Sequence, residues 1–198
     1  GVGGHTRRAL GIDGLHCVLA VVKRMKGTNI FLIGLMAVGK STVGKALSEH
    51  LQRPFFDSDT EIEARAGAEI SWIFDVEGEA GFRRRECAVI EDLTQHDGIV
   101  LATGGGVVEN PMNRAHLAER GTVIYLSSSL RRLVARVRND RKRPLLQQGN
   151  SSEILGSLLK KREPLYMEIA DYRFDTSAKK VDHLVNLILQ RLREDAVV

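Results

Sequence analysis

Glycine, lysine and serine occur in the chain at a spacing that suits the binding of nucleotide phosphates. Gly34 to Ser41 fit the pattern G-x-x-x-x-G-K-[ST], between a short apolar segment and a helical one. Glycines let backbone N–H groups approach an anion, and the free N–H groups at a helix start add to them. Lysine brings a point charge to the β- and γ-phosphates, and a hydroxyl ligates the Mg²⁺ that bridges them. The predicted ligands of MgATP here are Gly34, Ala37, Val38, Gly39, Lys40, Ser41 and Thr42, of which Lys40 is also catalytic and Ser41 also a metal ligand.

Two aspartates follow the next apolar segment of the chain. Asp57 and Asp59 come directly after Phe55 and Phe56, so both carboxylates leave the end of a predicted strand. Ligands of open α/β sheets bind at that edge. One carboxylate suits a Mg²⁺ water shell and the other suits an acceptor hydroxyl. The alternative is that Ser58 or Asp59 only caps a helix that begins at Thr60.

A run of three glycines, Gly104 to Gly106, follows the apolar segment from Ile99 to Ala102. Glycine permits close approach of the backbone to a ligand, although three in a row cost conformational entropy. We therefore favour ligand contact over a plain flexible turn.

These polar stretches must be positioned by regular elements, and the sequence alternates short β-type runs with longer helical ones. That alternation predicts an α/β fold with a five-stranded parallel sheet between helices, the three-layer arrangement of P-loop nucleotide-binding proteins. Residues 139–152 are polar and contain Arg143, Pro144 and Gly149, which favours a mobile lid. The predicted strands are Asn29 to Ile33, Pro54 to Phe56, Ile99 to Ala102, Thr122 to Leu126 and Tyr172 to Asp175.

The length of 198 residues suits one domain, which we place at residues 29–198. Residues 1–28 have a different composition, with Asp13 as their only acidic residue, and are interpreted as an appendage outside the core. Met25 is our candidate for the natural start. The two cysteines, Cys17 and Cys87, have no metal-ligand spacing, and we expect a reducing cytoplasmic location.

The overall composition argues against nucleic-acid and membrane partners. The formal net charge is +4, and the 29 basic residues are scattered among 25 acidic ones. No segment approaches the run of about 18 apolar residues that a membrane span requires. We expect a monomer that acts on small molecules.

Several of these motifs together resemble one family, the shikimate kinases. The resemblance spans Asn29 to about Leu192 and is carried by the P-loop, Asp57 to Asp59, Gly78 to Arg83, Thr103 to Gly106, Arg143 to Leu146, and Arg162 to Tyr166. Many members have glycine where this chain has Ala37, a difference that bears on nucleotide affinity and not on reaction type.

The resemblance implies a role for each matching residue. Asp59, Arg83, Gly104, Gly105, Gly106 and Arg162 would surround shikimate, with the two arginines on its carboxylate, which the planar fork of a guanidinium fits well. Asp57 would serve the Mg²⁺ shell, and Glu86 would help to position an arginine. Arg136 would lie near the adenine, and Arg143 would reach the phosphates from the lid as an ATP-binding and catalytic residue.

The predicted reaction is transfer of the ATP γ-phosphoryl group to the 3-hydroxyl of shikimate, with Mg²⁺ as cofactor and Asp59 orienting that hydroxyl. Two alternatives stay open on sequence alone. One is another small P-loop kinase, for gluconate or a nucleoside monophosphate. The other is a nucleotide-binding regulator that has lost phosphoryl transfer.

Overall fold

The computed structural model describes residues 27–138, 150–177 and 180–198. These residues form one five-stranded sheet in which every neighbouring pair of strands is parallel, in the order β2-β3-β1-β4-β5. The strands are β1 (Asn29–Ile33), β2 (Phe55–Asp57), β3 (Val100–Ala102), β4 (Gly121–Ser127) and β5 (Tyr172–Asp175). The predicted α/β class and parallel sheet are confirmed.

Seven helices connect or follow the strands in the described part of the chain. They are α1 (Lys40–Leu51), α2 (Ser58–Ala66), α3 (Ile70–Leu93), α4 (Pro111–Arg120), α5 (Leu130–Arg138), α6 (Ser151–Ile169) and α7 (Val181–Glu194), with a 3₁₀ turn at Val107–Glu109. Residues 139–149 of the predicted lid lie outside the described residues. Of its remaining residues, Asn150 is the N-cap of α6, and Ser151 and Ser152 belong to α6.

The central strand β1 shows why the strands read as continuous apolar runs. Its alternate residues pack into two separate cores, Ile30 and Leu32 on one face of the sheet and Phe31 and Ile33 on the other. Both faces are covered, so Ile30 to Ile33 are all apolar, and the buried Asn29 at the start of the strand is instead satisfied by hydrogen bonds to neighbouring backbone. Helices α1 and α7 contribute to the first core, and α3 and α4 to the second.

Strand ends differ slightly from the prediction, for physical reasons. The second strand begins at Phe55 and not at Pro54, because proline has no N–H group to donate. The carbonyl of Pro54 still accepts a hydrogen bond of 2.9 Å from Val100 N. Strand β4 is longer than predicted because Gly121 pairs with Asn29 and Ser127 with Asp175.

The strand order places the candidate site. Because β1 lies between β3 and β4, the connections that leave β1 and β3 run to opposite sides of the sheet and open a crevice at their carboxyl ends. The P-loop follows β1, the aspartates follow β2 and the glycine run follows β3. Within the described ranges, no helix is long and apolar enough to cross a membrane.

Candidate active site

A cavity of about 240 Å³ lies at the carboxyl edge of the sheet. Its lining combines all three polar stretches singled out in the sequence: Met36, Ala37, Gly39, Lys40, Ser41, Thr42, Asp57, Asp59, Thr103 and Gly105. Residues from the ends of three strands therefore share one space.

The P-loop backbone takes conformations that favour glycine. Gly34 and Gly39 have φ angles of 143° and 105°, and Ala37 has a φ of 62° despite its methyl group. Gly39 precedes the first residue of α1, and no side chain caps that helix. The N–H groups at this helix start are therefore available to an anion.

Arg136 of α5 contacts the backbone of the P-loop. Its Nη1 donates to the carbonyls of Ala37 (3.2 Å) and Val38 (3.1 Å), and both terminal nitrogens contact Thr176. The side chain therefore fixes the loop backbone from the α5 side. Contact with adenine, which the resemblance implied for Arg136, stays a prediction.

Lys40 is buried and curls back over the loop that precedes it. Its Nζ donates to the carbonyls of Gly34 (2.7 Å) and Leu35 (3.0 Å). Only 8% of the residue is exposed, so its charge is held against the loop and is little screened by solvent. This placement suits an electrostatic role toward bound phosphates.

Ser41 and Asp57 are brought together from different elements. Ser41 Oγ donates to Asp57 Oδ2 at 2.5 Å, while Asp57 Oδ1 accepts from the backbone N–H groups of Asp59 (3.0 Å) and Thr60 (3.4 Å). Asp57 is therefore the N-cap of α2, which begins at Ser58, so the alternative in which Ser58 or Asp59 is the cap is wrong. The hydroxyl and carboxylate oxygens are of the type that Mg²⁺ prefers, so the pair fits the predicted metal site.

Two acidic side chains converge on Gly104. A Cβ on Gly104 would lie 2.7 Å from Asp59 Oδ1 and 3.0 Å from Glu86 Oε1, which leaves no room for another residue type. Gly104 N also donates to Ser58 Oγ at 2.9 Å. Burial raises the pKa of Glu86, although the Arg83 charge opposes this effect.

Arg83 lies at one end of the glycine run. Its Nη1 donates to Glu86 Oε2 at 2.8 Å, and its guanidinium packs against Gly106. A kink at Gly78, where φ is 70° and ψ is −178°, separates the first part of α3 from the part that carries Arg83 and Glu86.

Arg162 reaches the same run from α6. Its Nε donates to Glu109 Oε1 at 2.7 Å, and its Nη1 lies 3.6 Å from the Cβ position of Gly105. Burial alone would raise the pKa of Glu109, but hydrogen bonds from Arg162 and Lys161 lower it overall. Arg162 is thus held by Glu109, and Arg83 by Glu86 with a longer contact of 3.4 Å to Glu79, beside the same glycine run.

The donor and acceptor sides are in direct contact. The Cβ position of Gly105 lies 3.1 Å from Met36 N and 3.6 Å from Gly34 O, both in the P-loop. The structure therefore places each predicted site residue that it describes in the P-loop, in the Asp57 to Asp59 stretch or in the glycine run, or in contact with one of them. Arg143 falls outside the described residues.

Comparison with known proteins gives the assignment. A family model described as "Shikimate kinase" matches residues 36–193. The chain belongs to the shikimate kinase family. It is 53% identical to the shikimate kinase of Vibrio parahaemolyticus over 166 residues, which cover 84% of this chain and 96% of the relative. It is 56% identical to that of Legionella pneumophila over 168 residues, which cover 85% and 96%.

Solved structures agree with this shikimate kinase assignment. A shikimate kinase from Acinetobacter baumannii in complex with shikimate matches with a TM-score of 0.82 and 44% identity, covering 89% of this chain and 98% of that one. A gluconokinase from Sinorhizobium meliloti has a TM-score of 0.56 at 19% identity and shows only that the fold is shared. The chain is a phosphotransferase that uses ATP, as the P-loop predicted.

Sequence reasoning missed two residues of this shikimate kinase site. Glu109 holds Arg162, and Tyr166 contacts the glycine run through a hydrogen bond to Gly105 O. Tyr166 belongs to a motif that carried the resemblance, but its type and position gave no sign of this contact. Glu109 follows the glycine run by three residues, which is the only signal that could have drawn attention to it.

Proposed function

We propose that this protein transfers the γ-phosphoryl group of ATP to the 3-hydroxyl of shikimate, giving shikimate 3-phosphate and ADP. The observation that carries the proposal is the direct contact between the P-loop and a glycine run flanked by two arginines. A phosphate-binding loop beside paired guanidinium groups suits a reaction between ATP and a small carboxylate-bearing acceptor.

On the acceptor side, Arg83 and Arg162 are the proposed ligands of the shikimate carboxylate. Glu86 and the more distant Glu79 hold Arg83, and Glu109 holds Arg162, which limits rotation of each guanidinium and leaves other N–H groups for the ligand. Oε1 of Glu86 is buried and accepts no hydrogen bond within the described ranges, so a ligand hydroxyl near Gly104 would satisfy it.

Asp59 is the proposed orienting group for the reacting hydroxyl. It lines the cavity together with Lys40 and Ser41, so it lies between the acceptor side and the phosphate side. A carboxylate that accepts the hydroxyl's hydrogen bond directs an oxygen lone pair at the γ-phosphorus and can take its proton as transfer proceeds.

On the phosphate side, the N–H groups of the P-loop and of the α1 start are proposed to hold the β-phosphate. Lys40 would leave the carbonyls of Gly34 and Leu35 to neutralise charge on the transferring group. Mg²⁺ would be bound by the Ser41 hydroxyl and, through water molecules, by Asp57. When bound, it neutralises charge on the β- and γ-phosphates.

Two further expectations accompany the proposal. Arg143 is expected to act on the phosphates from residues 139–152. The catalytic unit is proposed to be the single domain of residues 29–198, monomeric and cytoplasmic, and sedimentation of the purified chain tests the monomer.

The test of the activity is ADP release from MgATP with shikimate, gluconate, AMP or no acceptor. Turnover that depends on shikimate supports the proposal, and preference for another acceptor would overturn the substrate. No stimulation by any acceptor would favour the nucleotide-binding regulator.

Arginine variants test the acceptor site itself. Arg83→Met and Arg162→Met should each raise the KM for shikimate about 10- to 100-fold, the equivalent of one lost charge-assisted hydrogen bond or two. Arg65→Met is the matched control, because Arg65 pairs with Glu61 and Asp92, whereas Arg83 and Arg162 lie against the glycine run. An unchanged KM for shikimate in both test variants would reject the carboxylate site.

A further inference from the structure

A buried tyrosine holds the central residue of the glycine run. Tyr166 lies on α6 one turn after Arg162, is fully buried, and donates from its hydroxyl to Gly105 O at 2.5 Å. Its ring stacks on that of Tyr125 of β4, with centroids 5.0 Å apart and an interplanar angle of 23°. The ring of Tyr166 is therefore packed against Tyr125, and its hydroxyl is held by the hydrogen bond to Gly105 O.

The hydroxyl is held in its donating form. Burial raises the pKa of Tyr166 well above the ordinary tyrosine value. The raised pKa favours the protonated hydroxyl, which is the form that donates to Gly105 O.

The contact matters because glycine leaves a backbone free to rotate. Gly104 is fixed separately, since its N–H donates to Ser58 Oγ and its carbonyl accepts from Val107 N. Gly105 has no side chain that could restrain it, and its neighbours Met36 and Arg162 belong to opposite halves of the site. The tyrosine bond restrains the peptide between Gly105 and Gly106.

Fixing one side of that peptide also fixes the other. A trans peptide is planar, and its C=O and N–H groups point in opposite directions. No cis peptide bond occurs among the described residues. Gly105 O points toward Tyr166 on α6, so the N–H of Gly106 must point away from α6. Arg83 packs against this same residue, Gly106.

We infer that the Tyr166 hydroxyl is a positioning group for the acceptor: by anchoring Gly105 O it presents the Gly106 N–H to the bound substrate. This inference rests on the proposed function, since it assumes that the acceptor binds at the glycine run. The Tyr166 hydroxyl contacts the Gly105 carbonyl and the side chain of Arg162 and not the reacting atoms, so its effect should appear in acceptor binding and not in the chemical step.

Tyr166→Phe removes only the hydroxyl and keeps the ring in its stack. We expect the KM for shikimate, and its dissociation constant measured by calorimetry without nucleotide, to rise about fivefold, the equivalent of about 1 kcal/mol for one hydrogen bond. The KM for ATP should stay within about twofold, because the P-loop keeps its own hydrogen bonds.

Tyr125→Phe is the matched control, since it removes a hydroxyl from the other ring of the same stack, one that interacts with Glu163 and not with the glycine run. It should leave the KM for shikimate unchanged. Thermal unfolding of both variants separates a local effect from a general loss of stability.

The inference is overturned if Tyr166→Phe binds shikimate as tightly as the wild type. It is also overturned if the KM for ATP rises by the same factor, or if Tyr125→Phe has an equal effect. Wild-type turnover with shikimate is measured first. Its absence would reject the proposed function, whereas an active wild type with an unaffected Tyr166→Phe variant would reject this inference alone.

Discussion

Ala37 is predicted to strain the P-loop, and Ala37→Gly should relieve that strain. Its φ of 62° lies in the left-handed region, where the Cβ of an L-residue crowds the backbone at a cost of about 1–2 kcal/mol. Glycine has no such penalty but loses about 0.4–1 kcal/mol more conformational entropy on folding. The net expectation is a gain of about 0.5–1 kcal/mol in the free energy of unfolding.

Urea and thermal unfolding measure this gain. For a domain of this size it corresponds to a rise of about 1–4 °C in Tm. The KM for ATP should change by less than about twofold, because glycine relieves the same backbone strain in the free and the bound loop. Gln52→Gly is the matched control, since Gln52 has a φ of 51° at the end of α1, away from the cavity.

Comparing Ala37→Gly with Gln52→Gly tests whether left-handed backbone strain destabilises the P-loop. Both should be stabilised by similar amounts if left-handed strain is the cause. A stabilised Gln52→Gly beside a destabilised Ala37→Gly would refute the strain account for the P-loop. A large change in the KM for ATP would show instead that the Ala37 methyl group acts directly on the nucleotide.

Three further outcomes are expected. Asn29→Leu should lower the free energy of unfolding by about 3 kcal/mol in urea titration, because the buried amide accepts from Ile99 N and donates its two N–H groups to the carbonyls of His96 and Arg120. A loss below about 1 kcal/mol would contradict this role. The pKa of Glu86 in the folded state is raised above its ordinary value of 4.5, so its contribution to stability is complete below pH 4.5 and is lost as pH rises through the folded-state pKa. The Tm of Glu86→Gln should therefore rise relative to that of the wild type between pH 4 and pH 8. A Tm difference that stays constant over this range would reject the pKa shift. Arg136→Met should raise the KM for ATP about tenfold and leave that for shikimate unchanged, and equal effects on both would show a general defect.

Much of the fold and part of the site could be predicted because the signals are local. Each strand that is covered on both faces appears as a continuous apolar run, and the P-loop, Asp57 and the glycine run are contiguous with the strands that position them. The carboxyl ends of parallel strands meet at one edge, so the three stretches had to be neighbours. Asn29–Ile33 and Tyr172–Asp175 were predicted to the residue.

Other features depended on the tertiary structure. Glu109 lies 53 residues from Arg162 in the sequence, and Gly105 lies 61 residues from Tyr166. These residues meet only because α6 packs against the loop that follows β3. Neither residue type predicts that packing. Asp57 caps α2 through local contacts, but its hydrogen bond with Ser41 forms only because α1 packs next to β2. The sequence by itself predicted which groups carry the chemistry, and packing between distant elements determined how each group is held, because local residue patterns do not encode contacts across the fold.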